Sequence, residues 1–539
     1  SKTSVTGSKD NNLAGDLYTT NGESLDWNSN AFLYYTRSFN KQHNLNVSAG
    51  WEAASGTTES TNAHYRGFPS GEFHSLNYAA EVYKKPTRTE NTTRRVSVLA
   101  SANYTWNDIY LVDASVRFDG SSEFGANQKW APFFSGGLGV NIHNYDFFKS
   151  NGYINKLKLR ASYGRTGKVN FPAYAATTMY ETLFDEWYIT GYGAVLKALG
   201  NKDLTWEKTD KLSVGIETKT FHDRLTVDFE YYYNKTIDLV NDVTLSQTSG
   251  FSTYKDNMGQ VANKGVELKL RADIYRDRNW DVALWGNMAH NKNEILKISD
   301  SQKAYNERVA AYYKNEALYQ ETLGLSHGAE YSVPLPQYEE GASLTSIWAV
   351  RSLGIDPTTG KEIFLNRDGS IADKWNAAQE VVVGNTEPKC SGAFGLNLSY
   401  KNWTLFASFL YEWGGQEYNQ TLVNNVENAD LVNKNVDLRV LTDRWKKPGD
   451  IAQFKDIKDR GMTTLPTSRF VQDKALVRLN SLNVSYDFNR DWIKKHLRMN
   501  LLRLEASTSD LINWSSIKQE RGLSYPRSWK VEFSLKAQF

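Results

Sequence analysis

The chain has a single cysteine, Cys390, in 539 residues, so neither a disulfide framework nor a thiolate cluster for structural zinc can be built from it. An excess of one charge is missing too: 63 Lys and Arg face 61 Asp and Glu, and no basic run leaves the footprint of a nucleic-acid binder. Long apolar runs are absent and the mean hydropathy is −0.57, which excludes spanning helices, since each needs roughly 20 predominantly apolar residues. The eight histidines, at 43, 64, 74, 143, 222, 290, 327 and 496, form neither an H-E-x-x-H motif nor a close metal-ligand pair. The opening SKTSVTGSKD has no charged segment followed by an apolar one, as a signal peptide would. None of this excludes a membrane β-barrel, whose strands alternate over about ten residues each in a way that average hydropathy conceals.

What the chain has in quantity is aromatic side chains, 31 Tyr, 24 Phe and 16 Trp, and a strict two-residue alternation. Leu225, Val227, Phe229, Tyr231 and Tyr233 fall on one side of a strand, with Thr226, Asp228, Glu230, Tyr232 and Asn234 on the other. Val266, Leu268, Leu270 and Ala272 alternate with Glu267, Lys269, Arg271 and Asp273, so the second face carries four charges in a row and is not a dry core. The series Trp403, Leu405, Ala407, Phe409, Tyr411, Trp413 has tryptophan at both ends, as expected of a lipid-facing stripe that meets two headgroup layers.

Short polar turns are expected near residues 41–44, 107–108, 222–224, 276–279 and 401–402, with looser ones at 145–155 and 489–497. Long connections separate the pairs, at about 59–91, 168–203, 298–388 and 414–473. Short turns on one side and long loops on the other is the asymmetry of outer-membrane barrels. The pattern predicts an all-β fold, an antiparallel transmembrane barrel with about fifteen strands in this chain. With the short turns in the periplasm, the last strand, Trp529 to Phe539, runs inward, and so does the first, near residues 27–39. Single-chain bacterial barrels have an even strand total, so an odd number of strands is expected before Ser1. Residues 1–539 are thus read as the C-terminal portion of a larger barrel. The alternation blurs in places, notably at 476–482, and a miscount by one pair of strands would leave the odd parity unchanged.

The runs LRASYGRTG (159–167), DLTWEKTDKLSVGIE (203–217) and NKGVELKL (263–270) resemble the SusC/RagA family of TonB-dependent outer-membrane transporters. SIWAVRSLGIDPTTGKEIF (346–364), VVGNTEPKCSGAFGLNLSYKNWTL (382–405), VRLNSLNVSY (477–486) and YPRSWKVEFSLKAQF (525–539) continue the likeness in order. The resemblance implies a plugged barrel of 22 strands, with the TonB box, the plug and the first strands lying outside this chain. It also implies import of an oligosaccharide or peptide in a Bacteroidetes-type bacterium, and no catalysis. The implied partners are a SusD-like lipoprotein lid, the TonB complex acting through the plug, the N-terminal part of the same barrel and outer-membrane lipid; no cofactor is implied. The terminal Phe539 resembles the signature read by barrel-assembly machinery. A siderophore or cobalamin receptor is the rival within the fold, distinguished by the absence of a lipoprotein partner. A soluble β-repeat carbohydrate-binding protein is the rival outside it, and the fixed repeat of roughly 40 to 50 residues that it needs does not occur.

Other motifs read as structure. GLSHG (324–328) matches a nucleophile elbow around Ser326, but the preceding 303–323 reads as helical where the elbow needs a strand. Asp356 and Asp368 sit in D-P-T-T-G and R-D-G-S, which are turn sequences. Trp106, Trp280 and Trp403 are expected at the membrane interface. Arg160, Arg165, Glu217, Asp228, Glu230, Glu267, Lys269 and Arg271 are expected to face the lumen, against substrate or plug. Loop aromatics offer flat faces for sugars or peptide side chains: Tyr180, Trp187, Tyr188 and Tyr192 in one loop, Tyr312, Tyr313, Tyr319 and Tyr331 in another, as candidate substrate or lid contacts.

Overall fold

The structure, a computed structural model, describes residues 2–4, 15–68, 72, 75–149, 152–169, 171, 174–189, 191–244, 253–257, 259–299, 302–303, 306–307, 338–376, 379–431, 433, 436, 438–458, 464–488, 490–518 and 529–539. Fifteen long strands among these follow one another as one antiparallel meander. They are β1 (Asp16–Phe39), β2 (His43–Arg66), β3 (Glu81–Trp106), β4 (Tyr110–Ser121), β5 (Trp130–Asn141), β6 (Ile154–Lys168), β7 (Glu207–Thr220) and β8 (Leu225–Ile237). The series continues with β9 (Gln260–Arg276), β10 (Trp280–Lys297), β11 (Cys390–Tyr400), β12 (Trp403–Tyr418), β13 (Val471–Asp487), β14 (Leu501–Thr508) and β15 (Val531–Gln538). Each pairs with the next. Among the described residues, β1 gains only the short strand Lys2–Ser4 on its other side, and β15 gains none.

Left-handed backbone makes the short turns possible. Asn40 and Lys41 have φ of 50° and 58°, Asn107 and Asp108 of 52° and 55°, the tight-hairpin geometry that matches strand twist. Aromatic rings gather at this same end of the strands. Trp106 stacks on Tyr110 at 5.2 Å, Trp280 lies 4.2 Å from Tyr400, and Trp403 lies 4.8 Å from Tyr486. All three tryptophans are exposed, the arrangement of an interfacial girdle. Among the described residues no helix is long and apolar enough to cross a membrane.

Several boundaries differ from the sequence reading. The first strand begins at Asp16 instead of near Trp27, and the segment read as a loop at 59–91 is mostly strand. There β2 and β3 stay paired up to Arg66 and Glu81, in strands of 24 and 26 residues, where a membrane crossing takes about 9–11. The extra length projects beyond the bilayer on the long-loop side. The polar sequence hid it, because a ladder in water lacks a lipid-facing apolar stripe. The looser turns hold short helices, Asp146–Lys149 and Arg490–Leu497. The blurred stretch in β13 is a bulge: Ser408 pairs with Ser481 but Phe409 with Leu479, skipping Asn480. Leu482 and Val484 therefore share the outward face with Leu479 and Val477, although the two sets differ in parity.

The long connections are folded. The β6–β7 connection carries a hairpin of Met179–Tyr188 with Gly191–Ala198. That between β10 and β11 carries a four-stranded sheet of Ser346–Ile355, Glu362–Leu365, Ile371–Ala372 and Glu380–Asn385. The β12–β13 connection buries Leu422, Val426, Val440, Phe454 and Phe470 in its own core. A second core, under the β6–β7 connection, stacks Phe124 on Trp206 at 4.2 Å, with Phe133 edge-on at 5.4 Å.

Candidate functional site

Because paired residues share a face, the register sorts every wall side chain. Leu159, Ile216, Phe229 and Leu268 are one cross-strand row from β6 to β9, and Arg160, Gly215, Glu230 and Glu267 are the next. The first row belongs to the apolar outward face; the second belongs to the inner wall, where charges pair with one another. Arg160 reaches Asp228 at 2.9 Å and Glu230 at 2.6 Å, and Lys156 reaches Glu217 at 2.6 Å. Gly215 makes the Arg160 contacts possible: the guanidinium crosses β7 to reach β8, and a Cβ on Gly215 would meet Arg160 Nε at 2.8 Å.

Of the residues expected to face the lumen, Arg160, Glu217, Asp228, Glu230, Glu267, Lys269 and Arg271 share one face of the sheet, opposite Leu159, Ile216 and Phe229. Glu217, Asp228 and Lys269 form one row, and Arg271 Nε donates to Asp273 at 3.2 Å. Arg165 does not join them. It stands five residues from Arg160 with no bulge between, and an odd spacing in a strand reverses the face. It lies on the side of Leu159, Ala161 and Tyr163, where it grips Asp210 through two bonds of 2.6 and 2.9 Å.

Toward the loops, the inner wall opens into a polar concavity of about 550 Å³ whose lining includes Ser162, Lys211, Glu230, Tyr232, Asn263 and Asn291. Tyr232 repeats the crossing device. Its ring passes over Gly265, where a Cβ would meet the hydroxyl at 2.7 Å, and its hydroxyl donates to Asn291 Oδ1 at 2.9 Å. Asn293 donates to Asn263 Oδ1 at 2.9 Å, and Glu387 accepts from the Asn293 amide at 3.0 Å and from the Asn291 side chain. These amides escaped the sequence reading; the available signal was Asn at alternate inward positions, 291 and 293. Also missed was a second ion cluster on β4, in which Arg117 bonds Asp119 at 2.5 Å, Glu52 at 2.8 Å and the buried Ser97 at 2.8 Å. Its signal was V-R-F-D, two opposite charges on one face.

Of the loop aromatics, Tyr180, Trp187, Tyr188 and Tyr192 fall on the one hairpin, with the backbones of Trp187 and Tyr192 paired and Tyr180 exposed. Tyr312, Tyr313, Tyr319 and Tyr331 lie outside the described residues, as does Ser326. Asp356 and Asp368 each close their own turn, Asp356 on Thr358 N at 2.9 Å and Thr359 Oγ1 at 2.7 Å, Asp368 on Ser370 N at 2.9 Å.

Above the wall, the β10–β11 and β12–β13 connections are riveted together. Arg469 forks onto Glu362 at 2.9 and 3.1 Å and onto Glu427 at 2.6 and 3.2 Å, and all three are nearly or fully buried. Burial opposes the Arg469 charge, but the two carboxylates outweigh it and raise its pKa above the usual value. Arg444, also buried, donates to the carbonyls of Val440, Lys455, Val426 and Glu427. The backbone joins in where Ser352 N donates to Ser468 Oγ at 2.9 Å and Val350 N to Pro466 O at 3.2 Å.

Compared with known proteins, residues 2–506 match the family model described as TonB dependent receptor-like, beta-barrel. TonB-dependent receptor P39 of Formosa agariphila is 26% identical over 566 aligned positions, covering 95% of this chain and 53% of that protein. TonB-dependent receptor SusC of Bacteroides thetaiotaomicron is 30% identical over 255 positions, 45% of this chain and 25% of SusC. A chain in the solved structure of the RagAB peptide transporter shares the fold with a TM-score of 0.78 at 23% identity, over 93% of this chain and 53% of that one. The chain thus spans about half the length of the P39 receptor and of the RagAB chain.

Proposed function

Because the chain belongs to the TonB-dependent receptor β-barrel family, in its SusC/RagA branch, and resides in the outer membrane, we propose that it forms most of the wall and the outer loops of a nutrient importer. It is a transport protein and not an enzyme. The cargo on this reading is an oligosaccharide or peptide, captured among the loops beneath a SusD-like lipoprotein lid and passed along the polar inner face. The energy comes from the TonB complex acting on a plug carried by the preceding part of the polypeptide, and that part also supplies the strands that close the barrel.

The observation that carries this reading is the division of the wall. Ion pairs such as Arg160 with Asp228 and Glu230 cover one face, and Leu159, Ile216 and Phe229 cover the other. A water-filled, membrane-bounded passage requires this division. The folded loops support the capture step, since a buried charge triad holds two of them as one rigid platform. Among the described residues the outer edge of β1, beyond the short Lys2–Ser4 pairing, and the outer edge of β15 have no strand partner, which supports the further strands of this reading, because each unpaired backbone group in lipid costs several kcal/mol. Mass spectrometry of what copurifies with the chain in mild detergent tests the reading. Recovery of a plug-bearing segment and a lipoprotein is the expected result; a chain that is monomeric and soluble without detergent refutes it.

A further inference from the structure

The outward face of β5 to β9 carries a feature that transport does not use. An apolar groove of about 390 Å³ runs across it, lined by Leu138, Leu159, Ala161, Val214, Ile216 and Phe229. The groove exists because Ala161 is small between larger neighbours, Leu138 on one side and Val214 on the other, in a single cross-strand row. That row continues through Tyr231 to Val266.

One step toward the long loops, the outward row reads Tyr163, Leu212, Tyr233, Lys264, Lys292, and the step beyond reads Arg165, Asp210, Lys235, Ala262, Glu294. Apolar, then tyrosine, then charge is the order of a bilayer's outer boundary. The charges are not balanced: Arg165, Lys235, Lys264 and Lys292 stand against Asp210 and Glu294. Arg165 takes Asp210, while Lys264 and Lys292 share Glu294 at 3.8 and 3.4 Å, leaving each of these lysines roughly half exposed. Counted along the strands from the row of Ala161, Lys264 and Lys292 stand two residues, about 7 Å, beyond the groove and Arg165 and Lys235 four residues, about 13 Å.

We propose that this face holds one phosphate-bearing lipid of the outer leaflet, an acyl chain in the groove and its phosphate among Lys235, Lys264 and Lys292, which stand on three adjacent strands. The groove alone would accept any acyl chain; the excess of cations at headgroup height selects an anionic one. Such a lipid would fasten the wall where β6 and β7 leave the membrane for the loops.

The test uses the complete barrel protein in mild detergent and native mass spectrometry, with phosphatidylglycerol and phosphatidylcholine of identical chains as probes. One phosphatidylglycerol is expected to bind at least tenfold more tightly than phosphatidylcholine. Lys235→Gln, Lys264→Gln and Lys292→Gln together should weaken phosphatidylglycerol about a hundredfold, near fivefold per lysine, and leave phosphatidylcholine unchanged. Ala161→Phe, which fills the groove but keeps every charge, should weaken both lipids. Unchanged heat-modifiable gel migration shows that each variant is folded. Equal binding of the two lipids, or a triple variant that binds as the parent does, overturns the proposal. Displacement of the lipid by inorganic phosphate at equal concentration also overturns it, since it would reveal an anion site that needs no acyl chain.

Discussion

Replacing Arg469 by Met should separate the two outer connections while leaving the barrel intact. Met matches the length of the aliphatic stem but leaves Glu362 and Glu427, 8% and 0% exposed in their side chains, without the guanidinium that bonds both. Breaking a buried ion pair in this way costs about 3–5 kcal/mol, which corresponds to roughly two to four orders of magnitude more frequent opening of the platform. The bond from Arg469 to the Gln453 carbonyl and the contact of its guanidinium with the Phe470 ring at 4.4 Å are lost as well. Hydrogen exchange of the complete protein reads the effect at the amides that tie the connections together, Val350 and Ser352. Their protection should fall by two orders of magnitude or more, while amides in the middle of β8 and β9 hold theirs. Adding Glu362→Leu and Glu427→Leu should restore much of the loss, because the cost lies in orphaned charge and not in the missing attraction. Loop amides in the single variant that exchange within threefold of the parent would refute the reasoning.

Glu380 gives the same platform a pH dependence. It is 1% exposed, its Oε1 has no hydrogen-bond partner among the described residues, and burial pushes its pKa from 4.5 up to about 7, against the opposing charge of Arg367. The folded state therefore binds the proton more tightly than the unfolded one, so the stabilisation is complete below about pH 4.5 and fades as pH rises through about 7, by about 3 kcal/mol; Glu380→Gln should abolish the change, read by limited proteolysis of the outer connections from pH 5 to 8. Gly215→Ala should cost about 1–3 kcal/mol, seen as a lower heat-modification temperature, because the new Cβ meets both Arg160 Nε at 2.8 Å and Phe229 O at 3.1 Å. In an Arg160→Ala background the same change should cost measurably less. Trp280→Ala and Trp403→Ala should each cost about 0.5–1.5 kcal/mol through lost ring pairing, and fluorescence from both tryptophans should be quenched more by headgroup-labelled lipids than by labels at the chain centre.

How much of the fold was legible follows from the period of the signal. A strand that divides water from lipid must alternate every two residues, so β8, β9 and β12 could be read directly, and short turns against long connections gave the topology. The same rule, applied strictly, would have placed Arg165 outward, since it and Arg160 are separated by an odd number of residues. The projecting parts of β2 and β3 were not legible because both their faces meet water and no apolar stripe marks them. Nor was the bulge at Asn480, which reverses the parity of β13 halfway along.

The sequence by itself determined the class of the protein: an antiparallel wall with one wet and one greasy face, built from strands whose alternation records the two solvents. Only the tertiary structure decided what stands beside what. Register brings Arg160 over Gly215 and Tyr232 over Gly265, and it sets lysines from three adjacent strands in two neighbouring rows beyond an apolar groove. The platform depends on contacts such as Arg469 with Glu362, 107 residues apart, and Ser352 with Ser468, 116 apart. Local periodicity cannot encode such pairings, because it reports which solvent each residue faces and says nothing of which distant residue shares its burial.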